Sequence, residues 1–160
     1  MSREDNVARH RQLYAYLRAG DWAGFIGAFP KVGLFNVFGH TPLSGSWTDR
    51  DEFFANGADV RATKLRPGGT FALRSRMVVA DDYYTVGMME TDAQGTNGVA
   101  YDQHYIQIIG HRGGKLVEYW EFFNTTVLEA VIYDNPLGML RNRPRNPVDI
   151  LISTTGSPLL

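Results

Sequence analysis

The residue on which chemistry could be built is Glu121. It lies in the run Lys115–Asn124, which reads as a strand. Strand side chains alternate between faces. Val117, Tyr119, Glu121 and Phe123 therefore share one face, and Glu118, Trp120, Phe122 and Asn124 share the other. A glutamate on a strand is ordinarily solvated. Here Tyr119 and Phe123 flank it on its own face, which argues for a carboxylate held in a pocket. Burying such a group is costly unless it is paired or protonated. Apolar walls favour the protonated form, so the expected role is a single general acid/base working near neutrality.

The run Val99–Gly110 supplies a second set of polar groups. Tyr101, Gln103, Tyr105, Gln107 and Ile109 alternate there with Asp102, His104, Ile106 and Ile108. The first set carries phenols and amides suited to orienting a ligand. Gln103 and Tyr105 are expected to hold a carbonyl, imine or hydroxyl, with Tyr14 a further candidate. Tyr119 and Phe123 would form walls beside Glu121. His104 sits on a partly apolar strand and reads as structural. The four histidines, His10, His40, His104 and His111, lack helical metal spacing, and no metal site is expected. No glycine-rich phosphate loop or dinucleotide fingerprint precedes a helix, and Gly110–Gly114 is a hairpin turn. No serine-nucleophile elbow is present. The expected chemistry needs no cofactor.

These strands need elements to position them. Val7, His10, Leu13, Tyr14 and Leu17 recur at helical spacing, so Asn6–Ala19 is a helix that Gly20 ends. Asp21 caps a second helix, Trp22–Phe29, which Pro30 stops. Val32–Phe38 and Leu43–Trp47 read as strands. Asp49 caps a helix over Arg50–Val60, and Arg66-Pro67-Gly68-Gly69 is a turn. Strands over Phe71–Ala80, Tyr83–Thr91, Val99–Gly110 and Lys115–Asn124 follow in series, then a short helix, Val127–Tyr133. Helices followed by an antiparallel meander define an α+β class. Residues 1–134 form one domain, and residues 135–160, which hold four of the seven prolines, form an extended arm of it.

Composition narrows the function classes. The chain has 160 residues, a net charge of −1 and no cysteine. No long-range field draws it to nucleic acid or to an acidic membrane. Disulfides and thiolate chemistry are excluded. Met1–Arg11 is polar and charged and is not read as a signal peptide. No apolar run spans a membrane. A soluble cytoplasmic protein is expected.

Tyr101-Asp102-Gln103-His104-Tyr105, followed by Gly114-Lys115 and by Glu121-Phe122-Phe123-Asn124, resembles the closing hairpin of the nuclear transport factor two-like superfamily. The helix pair around Ala19-Gly20-Asp21-Trp22 and the segment Leu43-Ser44-Gly45 are similar to that superfamily's first half. Within it, the local match is to the SnoaL-like and phenazine-biosynthesis A/B branch, related to limonene epoxide hydrolase and ketosteroid isomerase. The resemblance implies a cone, in which a curved mixed sheet and N-terminal helices enclose an apolar pocket. It implies an acid–base role for Glu121, and a homodimer. It also has gaps. Val86-Gly87-Met88-Met89 stands where epoxide hydrolases carry charge. Asn36 stands where ketosteroid isomerase carries its base, which leaves Asn36 as a ligand-binding candidate. Across Phe53–Arg66 the likeness is thin, and Asp59 and Arg61 receive no role.

Two functions follow. The first is a cofactor-independent isomerase, cyclase, condensing or (de)hydrating enzyme of secondary metabolism, acting on a small apolar or aromatic metabolite through Glu121. The second is a non-catalytic binding or adaptor protein of the same fold. The outward set Ile106, Trp120 and Phe122 is too apolar to face water, which supports the homodimer.

Overall fold

The computed structural model describes residues 2–135; most of the proline-rich arm, residues 136–160, lies outside them. Helix α1 covers Arg3–Ala19 and begins three residues earlier than the hydrophobic spacing indicates. Ser2 and Asp5 form a reciprocal capping box there, so polar caps and not apolar periodicity set its start. Gly20 ends it in the left-handed conformation at φ 70°. Asp21 then accepts from the Gly24 N–H and starts α2, Trp22–Gly27.

Six strands form one curved, unclosed sheet. They are β1 (Val32–Val37), β2 (Gly45–Asp49), β3 (Ser75–Ala80), β4 (Tyr84–Thr91), β5 (Gln103–Arg112) and β6 (Lys115–Phe122). Their order is β2-β1-β6-β5-β4-β3. All neighbours are antiparallel except β1 and β6, which run parallel. The sheet is therefore mixed, and β1 and β6 pair side by side in its interior. Among the described residues no helix is long and apolar enough to cross a membrane.

The expected helix over Arg50–Val60 is two helices, α3 (Arg50–Asn56) and α4 (Ala58–Lys64). Asp49 caps α3 through the N–H groups of Asp51 and Glu52, as the sequence indicates. The break falls at Gly57. Glycine weakens a helix interior by about 1 kcal/mol relative to alanine, and a Cβ there would lie 3.2 Å from Leu43 Cδ1. Two strands also start later than expected, and β6 ends at Phe122, short of the expected Asn124. Phe71 and Ala72 lie in a turn with Ala72 at φ 49°, so β3 starts at Ser75. The stretch Val99–Asp102 precedes β5 instead of joining it. A final helix, α5 (Thr125–Ile132), is capped by Asn124.

The inner face of the sheet carries Phe35, Val37, Thr85, Gly87, Met89, Gln103, Tyr105, Gln107, Ile109, Tyr119 and Glu121. Leu13, Tyr14 and Leu17 of α1, Phe25 of α2, and Phe53 and Phe54 of α3 cover it. Phe29 and Tyr119 meet edge to face at 5.1 Å, and Phe35 stacks on Phe53 at 5.4 Å. Each such ring pair contributes roughly 0.5–1.5 kcal/mol beyond its buried area.

Helix α1 is seated on β4 by a gap in side chains. A Cβ on Gly87 would lie 2.4 Å from Tyr14 Oη and 2.7 Å from His10 Nε2. The helix can approach that closely only because Gly87 has none. Beside this contact, Thr85 Oγ1 bridges two buried histidines, 2.9 Å from His10 Nδ1 and 3.0 Å from His111 Nε2.

One irregularity decides which face of β6 turns inward. Arg112 pairs with Lys115 and His111 with Leu116, but Gly110 pairs with Glu118. Val117 is the extra residue of a β-bulge. Past it, Gln107 stands opposite Glu121, and both point inward.

Candidate active site

Glu121 is buried at 4% exposure, on the strand where the alternation argument places it. Two side chains donate to it and a third faces it as an ion pair. Tyr119 Oη, two residues back on the same face, lies 2.8 Å from Oε1. Gln107 Nε2, across the ladder, lies 3.5 Å from the same oxygen. Arg61 Nη2, from α4, lies 3.6 Å from Oε2. Tyr14 on α1 donates to Gln107 Oε1 at 2.7 Å, which turns the amide N–H toward the carboxylate. A relay thus runs from α1 through β5 to β6.

The apolar enclosure expected around Glu121 is only part of what is found. A cavity of about 20 Å³ lies beside it, lined by Leu17, Trp22, Phe25, Phe53 and Met89 among others. That is room for one water. Beside these apolar walls stand two donors, the Tyr119 phenol and the Arg61 guanidinium. Arg61, which received no role in the sequence, is therefore the main addition, since it carries the only positive charge lining this cavity. Its role was hidden because the helix expected over Arg50–Val60 stops one residue short of it, whereas α4 carries it from Ala58 to Lys64. Gln107 was visible as an inward-facing amide, but its place opposite Glu121 depends on the bulge.

Four tyrosines, Tyr14, Tyr101, Tyr105 and Tyr119, are buried inside. Burial first, and then the charge of Glu121, pushes the Tyr14 and Tyr119 phenols up. Burial likewise raises Tyr101 and Tyr105. All four remain protonated donors at neutral pH. Tyr101 and Tyr105 hydroxyls lie 3.0 Å apart, and Phe123 packs on Tyr105 with ring centroids 5.4 Å apart.

Two of the residues picked from sequence are elsewhere. Asn36 is on the opposite face of the sheet from Phe35 and Val37. It pairs with Trp120, and its Oδ1 accepts from Ser46 Oγ at 2.6 Å. Strand alternation puts it behind the site, so it contributes no contact there. Gln103 does point inward, but both ends of its amide are committed to the backbone of Asn124. Its Nε2 donates to the carbonyl at 2.9 Å, and its Oε1 accepts from the N–H at 3.1 Å. It fixes the start of α5. His104 also lies on the outer face, 3.9 Å from Glu90, whose carboxylate is held by Arg74. Among the described residues, no three acidic or imidazole side chains converge as a metal site would require.

A mixed six-stranded sheet with its first and last strands paired, helices on one face and a carboxylate on the closing strand is the NTF2-like fold. An NTF2-like protein from Burkholderia xenovorans superposes with a TM-score of 0.64 over 82% of this chain and 98% of its own, at 16% identity. A proposed isomerase from Bacillus subtilis gives 0.66 over 82% and 94%, at 17% identity. A proposed polyketide cyclase from Pseudomonas putida gives 0.61 over 78% and 95%, at 15% identity. At these identities the likeness establishes the fold. No family model matches the chain, and no curated protein matches it in sequence.

Proposed function

We propose that this protein is a cofactor-independent acid–base enzyme that moves a proton on a small, largely apolar metabolite, with Glu121 as the proton carrier. The observation that carries this reading is the asymmetric treatment of Glu121. One of its oxygens accepts from Tyr119 at 2.8 Å and the other faces Arg61 at 3.6 Å, at the edge of a cavity. Tyr119, Gln107 and Tyr14 orient the carboxylate, and the inward phenols can hold a substrate oxygen as charge develops on it. The reactions this set can run are isomerisation, cyclisation, condensation and (de)hydration. Isomerase and cyclase assignments of neighbouring folds point the same way. The enzyme would act in the cytoplasm as a homodimer.

The test is proton exchange. A panel of cyclic ketones and hydroxylated aromatics is incubated with the protein in D₂O, and deuterium incorporation at acidic C–H positions is followed by NMR. Wild type should accelerate exchange on panel members that bind, and Glu121→Gln should lower that rate roughly 10²–10⁴-fold. A Glu121→Gln variant that folds and exchanges at the wild-type rate would remove the proposal.

One observation favours a second reading, a binding protein without chemistry. The cavity of about 20 Å³ beside Glu121 admits no metabolite as it stands. In that reading Glu121 only ties Tyr119, Gln107 and Arg61 together, compounds bind without reaching the carboxylate, and neither wild type nor Glu121→Gln accelerates exchange.

A further inference from the structure

The small cavity beside Glu121 is not isolated. A recess of about 390 Å³ lies outside it, and Trp22, Ala58, Arg61 and Phe71 line both. These four residues form the partition between an outer space large enough for an organic ring system and an inner space large enough for one water. Within the partition Arg61 is the one charged group. Its side chain is only 12% exposed, and its guanidinium sits 6.0 Å from the Phe123 ring centroid.

The guanidinium is incompletely used. Nη2 makes the long 3.6 Å contact with Glu121, and the neighbouring Nε–H is buried with no partner. Buried donors are almost always satisfied, so an orphan calls for an acceptor. An arginine's Nε and Nη2 form a two-pronged edge whose spacing matches the two oxygens of a carboxylate. Here one prong is weakly held and the other is open. The nearest acid on the recess side is Asp59, which also lines the recess; Arg66 stands at its rim and donates to Gln94 at 2.8 Å.

Resting on the reading of Glu121 as the working group, we propose that the substrate is a carboxylate with a flat apolar body, and that Arg61 is its anion receptor. The carboxylate takes the Nε/Nη2 edge of Arg61 at the partition. The body stays in the outer recess against Trp22, Ile26, Leu65 and Phe71. The carboxylate head thereby arrives within reach of Glu121, and the bond next to it is the one presented for proton transfer.

The probe pair is 1-naphthoate and its neutral isostere 1-naphthamide, titrated calorimetrically into the full-length protein. Wild type should bind the naphthoate about tenfold or more tighter. Arg61→Gln should collapse that preference to about twofold or less, and Arg61→Lys, which keeps the charge but not the fork, should fall between. Arg66→Gln should retain it. Glu121→Gln should tighten naphthoate binding, because a competing carboxylate is gone. Thermal unfolding of each variant reports whether it folds. Equal affinity for the two probes in wild type, or a preference that survives Arg61→Gln, overturns the proposal. Tight binding of the amide without preference leaves the pocket and Glu121 standing and removes only the anion. Failure of wild type to bind either probe overturns the anion receptor, and the reading of Glu121 then stands or falls on the exchange measurement alone.

Discussion

Gln103 and Arg61 show how single residues gain or lose a role when the chain folds. Period-two alternation was enough to place Gln103, Tyr105 and Gln107 on one face and Tyr119, Glu121 and Phe123 on another, because it depends on nothing but the strand. Alternation says nothing about what a side chain meets. Gln103 meets the backbone of Asn124 at 2.9 and 3.1 Å and imitates a peptide pair. Replacing it with Met leaves the Asn124 N–H without this acceptor and takes one of two donors from the Asn124 carbonyl, which still accepts from the Leu128 N–H. Gln103→Met should cost about 1–3 kcal/mol, read as a lower urea midpoint at constant slope, and should leave ligand affinity unchanged. A variant of normal stability with weakened ligand binding would return Gln103 to the site. Arg61 is the opposite case. Nothing local distinguishes it from Arg66 five residues on, and only the break at Gly57 and the position of α4 bring it to Glu121.

Elements are placed by contacts that residue patterns hint at but do not specify. Helix α1 was legible as an amphipathic stripe, and its stripe does face the sheet. Its depth was not legible, because that depends on the missing Cβ of Gly87 on a strand some eighty positions away. The same seat holds the His10–Thr85–His111 bridge. Burial, with His111 nearby, lowers His10 to about 3. Burial, with Arg9 nearby, lowers His111 to about 4. Both are neutral in the folded protein at pH 5, while in the unfolded chain they take up protons below about 6.5. The unfolded state therefore binds more protons, and stability falls as pH drops from about 6.5 toward 4. Each histidine contributes a loss of at most about 1.4 kcal/mol per pH unit. Urea midpoints at pH 7.0 and 5.0 should show the decline, and His10→Gln should reduce it by about half, leaving the His111 contribution. A flat wild-type profile would mean that the pair is not held neutral.

At the scale of the whole molecule, the α+β class and strand succession followed from the order of helical and alternating segments. The pairing of β1 with β6 inside the sheet did not follow from sequence pattern, since sequence neighbours pair by default. That parallel pair also concentrates aromatics on the outer face. Phe38 stacks on Phe122 at 4.1 Å, beside Trp120, and remains 46% exposed, with Ile106 at 40%. We propose that a second copy of the chain covers this face. Sedimentation should show a dimer for wild type, and Ile106→Glu should yield a folded monomer. A wild-type monomer at micromolar concentration would refute the dimer.

The bulge at Val117 has a consequence for how the chain reaches this arrangement. If β5 and β6 zip outward from the Gly113-Gly114 turn in perfect step, Gln107 meets Trp120, not Glu121. That hairpin buries Trp120 and Phe122 and leaves Glu121 in water, so it avoids the cost of a desolvated carboxylate. Tyr14 on Gln107, Arg61 on Glu121, Phe29 and Phe53 on Tyr119, and the parallel strand β1 reward the other alignment, and they come from distant parts of the chain. The register that builds the site is thus set by the rest of the molecule and not by the turn of its own hairpin.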